Sequence, residues 1–445
     1  MRYWKTDGGQ GERVLDLFPE LTEGRHVVSV TGAGGKTSLI WRLTAELVQR
    51  GRRVIVTTTT HMAREEGRVW AEALAENGRL SSGALGQIAG LLEKKQYVFT
   101  GRSQGEKIAC PLPSDGECRW VEQLSSLADV VLVEADGSRR HPVKVPAPWE
   151  PVIPPCTTLV AAVAGLSCLG YPAARCCHRP ELWRQGPGTI QAKDLAALAR
   201  DACGMRKGVK PGMEYRVIFN QADKEQEMEA GLAAARLLDK EGIGAAAVRL
   251  RDRLGAVLLA AGKSSRFGEN KLLYPVEQTP MAGRALHLLS RLLVWKRVVV
   301  TGYEEVASLA EAYGISSVFN PHPEQGISRS LQLGMRALSG ADGWLFLVAD
   351  QPWLKAESVN RLIDRWQEDP RHLAALCSGD QIGNPVIFSA AYAPELLSLA
   401  GDKGGKKILL NHPEDAVLVE TEARQLEDMD VKVGKNRENT EKNLL

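Results

Sequence analysis

The stretch HVVSVTGAGGKTS, residues 26–38, runs a short apolar segment straight into three glycines and a Lys-Thr pair. An apolar run of this length reads as a strand buried on both faces. Gly32, Gly34 and Gly35 then allow a turn too tight for side chains, and Leu39, Ile40, Leu43 and Leu47 continue at helical spacing up to Gly51. Such a strand, turn and helix belong to a parallel sheet. Its chemistry is that of phosphate binding: glycines let backbone amides approach phosphate oxygens, the helix N-terminus favours an anion, Lys36 neutralises charge and Thr37 offers a hydroxyl to magnesium. The spacing, G-x-x-G-K-T, is two residues shorter than the standard P-loop.

A second loop, LLAAGKSSRFGENK at 258–271, also contains Gly-Lys-Ser, but Val257 stands where a P-loop needs its first glycine. Here the small residues Ala260, Ala261 and Gly262 end an apolar strand and let a nucleotide base and ribose come close. Arg266 and Lys271 can converge on a triphosphate, where cations offset charge developing on leaving pyrophosphate.

Around these loops the same pattern recurs. RRVIVTTTT, DVVLVEAD, TTLVAAVAG and YRVIFN precede residue 250, and GAVLLAAG, KRVVVTG, GWLFLVAD and NPVIFS follow it. Apolar strands alternating with helical segments predict an α/β protein whose parallel sheets are covered on both faces. The 445 residues are too many for one ordinary core, which predicts two domains: a P-loop-like domain over 1–250, a Rossmann-like nucleotidyltransferase domain over 251–435, and a polar tail over 436–445. The boundary is expected within RLRDRLG, 249–255, after a helical segment containing GIGAAAV; RALHLLSRLLVW reads as a helix through Leu286, Leu289 and Leu293.

A formal charge of +2, with no basic block interleaved with aromatics, argues against a nucleic-acid groove. The N-terminal residues lack the basic and apolar regions of a secretory signal, and LVAAVAGLSCLGYPAA is too short and too rich in Ala and Gly for a membrane span. Eight cysteines in so long a chain then read as reduced thiols of a cytoplasmic protein.

Other residues of the first half fit nucleotide binding. DVVLVEADGS ends a strand in Glu134 and Asp136, where a carboxylate can hold magnesium or orient water. In FNQAD, Asn220 and Asp223 stand as in the base-reading N-K-x-D motif, with Gln221 replacing the lysine. The compact glycine loop resembles the ATP loop of the Mur ligases. TGAGGKT, VTTTTHM, VEADGSRRHPVKVPAPWEPVIP and FNQAD together resemble the YqeC family of accessory proteins for selenium-dependent molybdenum hydroxylases, over roughly residues 20–245. That resemblance implies ATP or GTP at this domain and a hydroxylase apoenzyme as partner. It makes His61, Arg139, Arg140, His141 and Lys144 candidates for gripping an anionic substrate. Cys176, Cys177 and His178 lack metal-site spacing and read as structural.

In the second half, L-A-A-G-x-S-x-R-F-G-x-x-K is followed in order by GISRSL at 326–331, ADQPWL with Asp350, GNPVIFS and GDKGGKKIL. This series resembles molybdenum cofactor cytidylyltransferase over 255 to about 432, in which Ala-Ala-Gly replaces the Leu-Ala-Gly-Gly of guanylyl relatives. The resemblance implies CTP as substrate, magnesium as cofactor and a molybdopterin-type cofactor as acceptor. By it, Leu259, Ala260, Ala261, Gly262 and Ser265 bind the nucleotide, Arg266 and Lys271 its phosphates, and Asp350 the metal. A second carboxylate comes from Asp430, or alternatively Asp428. Ser328 and Ser330 contact the nucleotide or pterin phosphate, or one of them caps a helix. Asn384, Ala349 and Lys406 depart from the family pattern. A sugar-phosphate nucleotidyltransferase, or a noncatalytic nucleotide-switched cofactor carrier, are the competing readings.

Overall fold

The computed structural model describes residues 1–63, 68–76, 79–105, 107–112, 118–184, 186–262, 270–368 and 372–429. The chain divides into two compact units, Met1–Arg251 and Asp252–Leu445.

In the first unit, parallel strands lie in the order Gly244–Arg249, Glu214–Asn220, Leu159–Gly165, His26–Gly32, Val130–Glu134, Val54–Thr58 and Tyr97–Gln104, with Trp70–Glu72 also parallel to the last. Their apolar residues alternate between two covered faces. Val28 and Val30 pack with Leu39, Ile40, Leu43 and Leu47 of helix Lys36–Gln49, and Val27, Ile55 and Val131 pack with Trp120 and Leu124. Each such aliphatic side chain contributes roughly 1.5–3 kcal/mol by leaving water. The sheet gains antiparallel edges from Arg2–Lys5 at one end and from Lys107–Ala109 and His61–Ala63 at the other. His26–Gly32 lies between Val130–Glu134 and Leu159–Gly165, whereas the next strand in sequence lies beyond Val130–Glu134. The strand order therefore reverses at His26–Gly32, which opens a crevice at its carboxyl end.

The second unit has the order Ser316–Phe319, Lys296–Thr301, Leu254–Ala260, Gly343–Val348, Gln381–Ser389, Leu373–Ser378 and Ala416–Glu420. Leu254–Ala260 pairs in parallel with both neighbours and is again the switch point. Leu258, Leu345 and Leu347 face Leu286, Leu289 and Trp366; Val257, Val300 and Phe346 face Leu331 and Met335 of helix Ile327–Ala337.

Three local expectations are corrected. GAAAVR, 244–249, is a strand rather than helix, because Gly242 at φ +72° follows helix Glu225–Asp239 and small alanines fit against the sheet. Gln381–Ser389 runs antiparallel, since only Gly379 and Asp380 separate it from Leu373–Ser378 and so short a link makes a hairpin. Helix Met281–Ser290 ends before Leu293, which is exposed. Leu159–Gly165 is a fully buried strand, and among the described residues no helix is long and apolar enough to cross a membrane.

Candidate functional sites

The glycine loop follows the switch-point strand of the first unit. Gly32, Gly34 and Gly35 have φ of +89°, +79° and +130°. A Cβ at these positions would stand 2.2 Å from Val163 O, 2.4 Å from Gly165 N and 2.2 Å from Asn220 Nδ2. Backbone on one side and an amide side chain on the other therefore both require glycine. Lys36 opens the helix but is buried, donating to Gly32 O at 2.7 Å and pairing with Asp136 Oδ1 at 3.2 Å. Asp136 Oδ2 also accepts from Gly32 N at 3.0 Å and pairs with Lys144 Nζ at 3.0 Å. Lys144 continues to Glu150 Oε2 at 2.8 Å, which Arg179 Nη1 reaches at 2.6 Å. Three cations thus share two carboxylates beside the loop. Burial alone would raise the Glu150 carboxyl, but the Lys144 and Arg179 contacts outweigh it and hold it below the ordinary glutamate range.

Thr37 Oγ1 donates to Glu134 Oε2 at 3.0 Å, which brings a hydroxyl and a carboxylate together at the helix start. These hard oxygen donors suit magnesium. Asn220 donates from Nδ2 to Gly34 O at 2.8 Å and accepts from Leu250 N at 3.1 Å, so this amide shapes the loop; Asp223 is exposed. Of the proposed anion-gripping residues, Lys144 is buried within the ion chain, His61 lies on the edge strand, and Arg139, Arg140 and His141 lie together in one turn. Cys176 and Cys177 are buried free thiols, and burial pushes Cys177 up to about 12, which keeps it protonated and unreactive. His178, read with them as structural, stacks on His141 with ring centres 5.7 Å apart.

In the second unit a cleft of about 550 Å³ opens at the switch point, lined by Leu259 to Gly262 on one strand end and Val348 to Asp350 on the next. Lys271, in the short helix Lys271–Leu273, pairs with Asp350 Oδ2 at 2.7 Å. Ala349 N donates to Leu259 O at 3.1 Å and Met429 N to Asp350 O at 2.9 Å, fixing that strand end from two sides. Ser330 lines the cleft and its Oγ accepts from Asn320 Nδ2 at 3.0 Å. Ser328 is buried, with its amide donating to Gly401 O at 3.2 Å. Neither serine is the helix cap: that position is Gly326, at φ +81°, where a Cβ would stand 2.3 Å from the carbonyl carbon of Gly401.

Ser265, Arg266 and Asp430 lie outside the described residues. Glu324 and Asp402 also line the cleft and escaped the sequence reading. Asp402 stands in the quoted GDKGGKK, but only the close approach of Gly326 to Gly401 reveals that this segment borders the start of helix Ile327–Ala337 at the cleft. Asp350, Glu324 and Asp402 give the cleft lining three carboxylates, and carboxylate oxygen is the donor type magnesium takes.

Residues 28–181 match the family model of the YqeC protein, and residues 256–417 match that of the MobA-like NTP transferase domain. The protein YqeC of Escherichia coli (strain K12) is 34% identical over 222 residues, 48% of this chain and 81% of its own length. The purine catabolism protein PucB of Bacillus subtilis (strain 168) is 31% identical over 187 residues, 39% of this chain and 90% of its own. The chain belongs to both families. It is a YqeC domain joined to a MobA-like nucleotidyltransferase domain. The second domain is also similar to the "Probable molybdenum cofactor guanylyltransferase" of Pyrococcus horikoshii, at 30% identity over 154 residues, 34% of this chain and 75% of that protein.

Proposed function

We propose that the MobA-like domain joins a cytidylyl group from CTP to a molybdopterin-type cofactor, giving a cytosine dinucleotide cofactor and pyrophosphate. The observation that carries this reading is the cleft in which Leu259 to Gly262 face the Lys271–Asp350 pair. Ala260 and Ala261 are small enough to admit the base and ribose against the strand end. A terminal phosphate oxygen of the cofactor attacks the α-phosphorus of CTP, and the bond to the bridging oxygen of pyrophosphate breaks. No covalent protein intermediate is needed, so the residues position and neutralise. Lys271, joined by Arg266, holds the leaving phosphates, while Ser330 and Ser328 border the acceptor side. Asp350, with Asp430 or Asp428, would hold magnesium, which when bound supplies charge stabilisation at the α-phosphate.

The choice of CTP rests on Ala260-Ala261-Gly262. It is tested by measuring pyrophosphate release with CTP, GTP and ATP side by side, with and without molybdopterin. CTP preference that depends on the acceptor and disappears in Asp350→Ala is expected; equal use of GTP would overturn the cytidylyl assignment.

The YqeC domain is proposed to bind ATP or GTP on Gly32, Gly35, Lys36 and Thr37, with Glu134 beside the metal, Asn220 bracing the loop and Asp223 toward the base. It would then load or hand over the cofactor to a selenium-dependent molybdenum hydroxylase in the cytoplasm. The support is the loop geometry and the Thr37–Glu134 contact. Nucleotide binding by the full chain, weakened in Lys36→Ala, is the expected result, and no binding of either nucleotide would reject it.

A further inference from the structure

The turn Ser138–His141 of the YqeC domain has features its ion network does not use. His141 N closes the turn on Ser138 O at 3.0 Å, and Arg139 and Arg140 are both left-handed, at φ +48° and +64°. Arginine rarely adopts this conformation, and two in succession face the solvent here. The turn is held from below: Lys144 Nζ donates to Gly137 O at 2.6 Å, and Pro142 O accepts from Gly165 N at 2.7 Å. That same Pro142 carbonyl would lie 2.6 Å from a Cβ on Gly34, so the turn directly abuts the glycine loop.

A second segment joins it. The two-residue strand Cys177–His178 pairs in parallel with Val143–Lys144, which carries His178 beside His141, with the rings stacked at an interplanar angle of 15°. Among the described residues, neither the Arg139 and Arg140 guanidinium groups nor the ring nitrogens of His141 and His178 have a hydrogen-bond or ion-pair partner. Burial, then the Arg179 and Lys144 cations, push His178 below its ordinary value, so it is neutral near pH 7. The positive surroundings that disfavour a proton on His178 favour an arriving anion.

We propose that Arg139, Arg140, His141 and His178 form a second-substrate subsite of the YqeC domain, which binds a phosphate group of that substrate beside the glycine loop. This deepens the reading of that loop as a nucleotide site. Two guanidinium groups supply forked donors to the oxyanion, and the stacked imidazoles each offer a ring N–H. Lys144, Glu150 and Arg179 act as positioning residues that hold the turn and the His178 strand together.

The test is calorimetric titration of inorganic phosphate into the full chain saturated with magnesium and a non-hydrolysable ATP analogue. Saturable phosphate binding is expected in the wild type and at least ten-fold weaker binding in Arg140→Gly and His178→Gln, with analogue affinity unchanged. Because glycine is at ease at positive φ, Arg140→Gly should also melt at the same or a higher temperature than the wild type, which separates a lost ligand group from a damaged fold. Phosphate binding within two-fold of wild type in both variants, or none in the wild type, overturns the subsite; acetate binding as tightly as phosphate overturns the assignment to phosphate. If the analogue itself does not bind, the nucleotide reading falls. The subsite is then judged without it: phosphate binding kept in Lys36→Ala and lost in Arg140→Gly supports it, and the reverse overturns it.

Discussion

At Gly34 an added methyl group would stand 2.4 Å from Gly165 N, whereas at Gly262 it would meet nothing within 4 Å among the described residues. Both loops leave a switch-point strand of an α/β sheet, yet they are built on different terms. The loop of the YqeC domain is clamped between neighbouring backbone and Asn220, and its lysine is buried on Asp136. In the transferase domain Gly262 meets no such clamp among the described residues, and the charge of the cleft comes from Lys271 and Asp350, both partly open to it. One site is specified by main-chain shape, the other by side chains around a space.

The sharpest break of this contrast comes at Asp136. Asp136→Ala leaves Lys36 and Lys144 buried without their shared carboxylate, and is expected to destabilise the YqeC domain by about 3–5 kcal/mol in chemical denaturation. Removing the corresponding cation of the other site should instead spare stability and strike the reaction. Lys271→Met is expected to lower acceptor-dependent pyrophosphate release roughly 10²–10³-fold, with an unchanged melting profile. A matched pair of glycine substitutions then compares the loops directly. Gly34→Ala should cost roughly 3 kcal/mol, since it combines a positive φ with contact on Gly165 and Pro142, while Gly262→Ala should stay within about 1 kcal/mol. Equal costs would mean that the two loops are not differently constrained.

The smallest effect concerns pH. Glu150 is held below its ordinary value in the folded chain, so its contribution is present above the unfolded value of about 4.5 and is lost as pH falls through the lower folded one. Glu150→Gln should therefore be less stable than the wild type at neutral pH, with the gap narrowing under acid below that value. A gap that widens on acidification would contradict the ion chain.

The strands and the glycine loop of the first unit were legible in the sequence because apolar runs and obligatory glycines are local constraints. Motif order was equally legible in the second half, where Asp350 and Lys271 meet across 79 positions of sequence. What escaped depends on distant approach. His178 reaches His141 only through a two-residue parallel bridge, and Asp402 reaches the cleft only because Gly326 packs on Gly401. The spacing that suggested base reading at Asn220 is the same spacing that lets its amide brace the glycine loop. GIGAAAV reads as helical because alanines carry no period to distinguish a strand from a helix.

Asn220 has one more consequence. Its side-chain oxygen accepts from the amide of Leu250, one residue before the first unit ends at Arg251, while on the other side Arg253 N donates to Asp342 Oδ2 at 2.8 Å. The seam between the domains is thus pinned on each side within its own domain, and the tether on the left is the same amide that braces the phosphate loop. An engineer who splits the gene between Arg251 and Asp252 severs neither tether, whereas a cut only two residues earlier would release Leu250 and loosen the Asn220 side chain that it anchors across 30 positions of sequence.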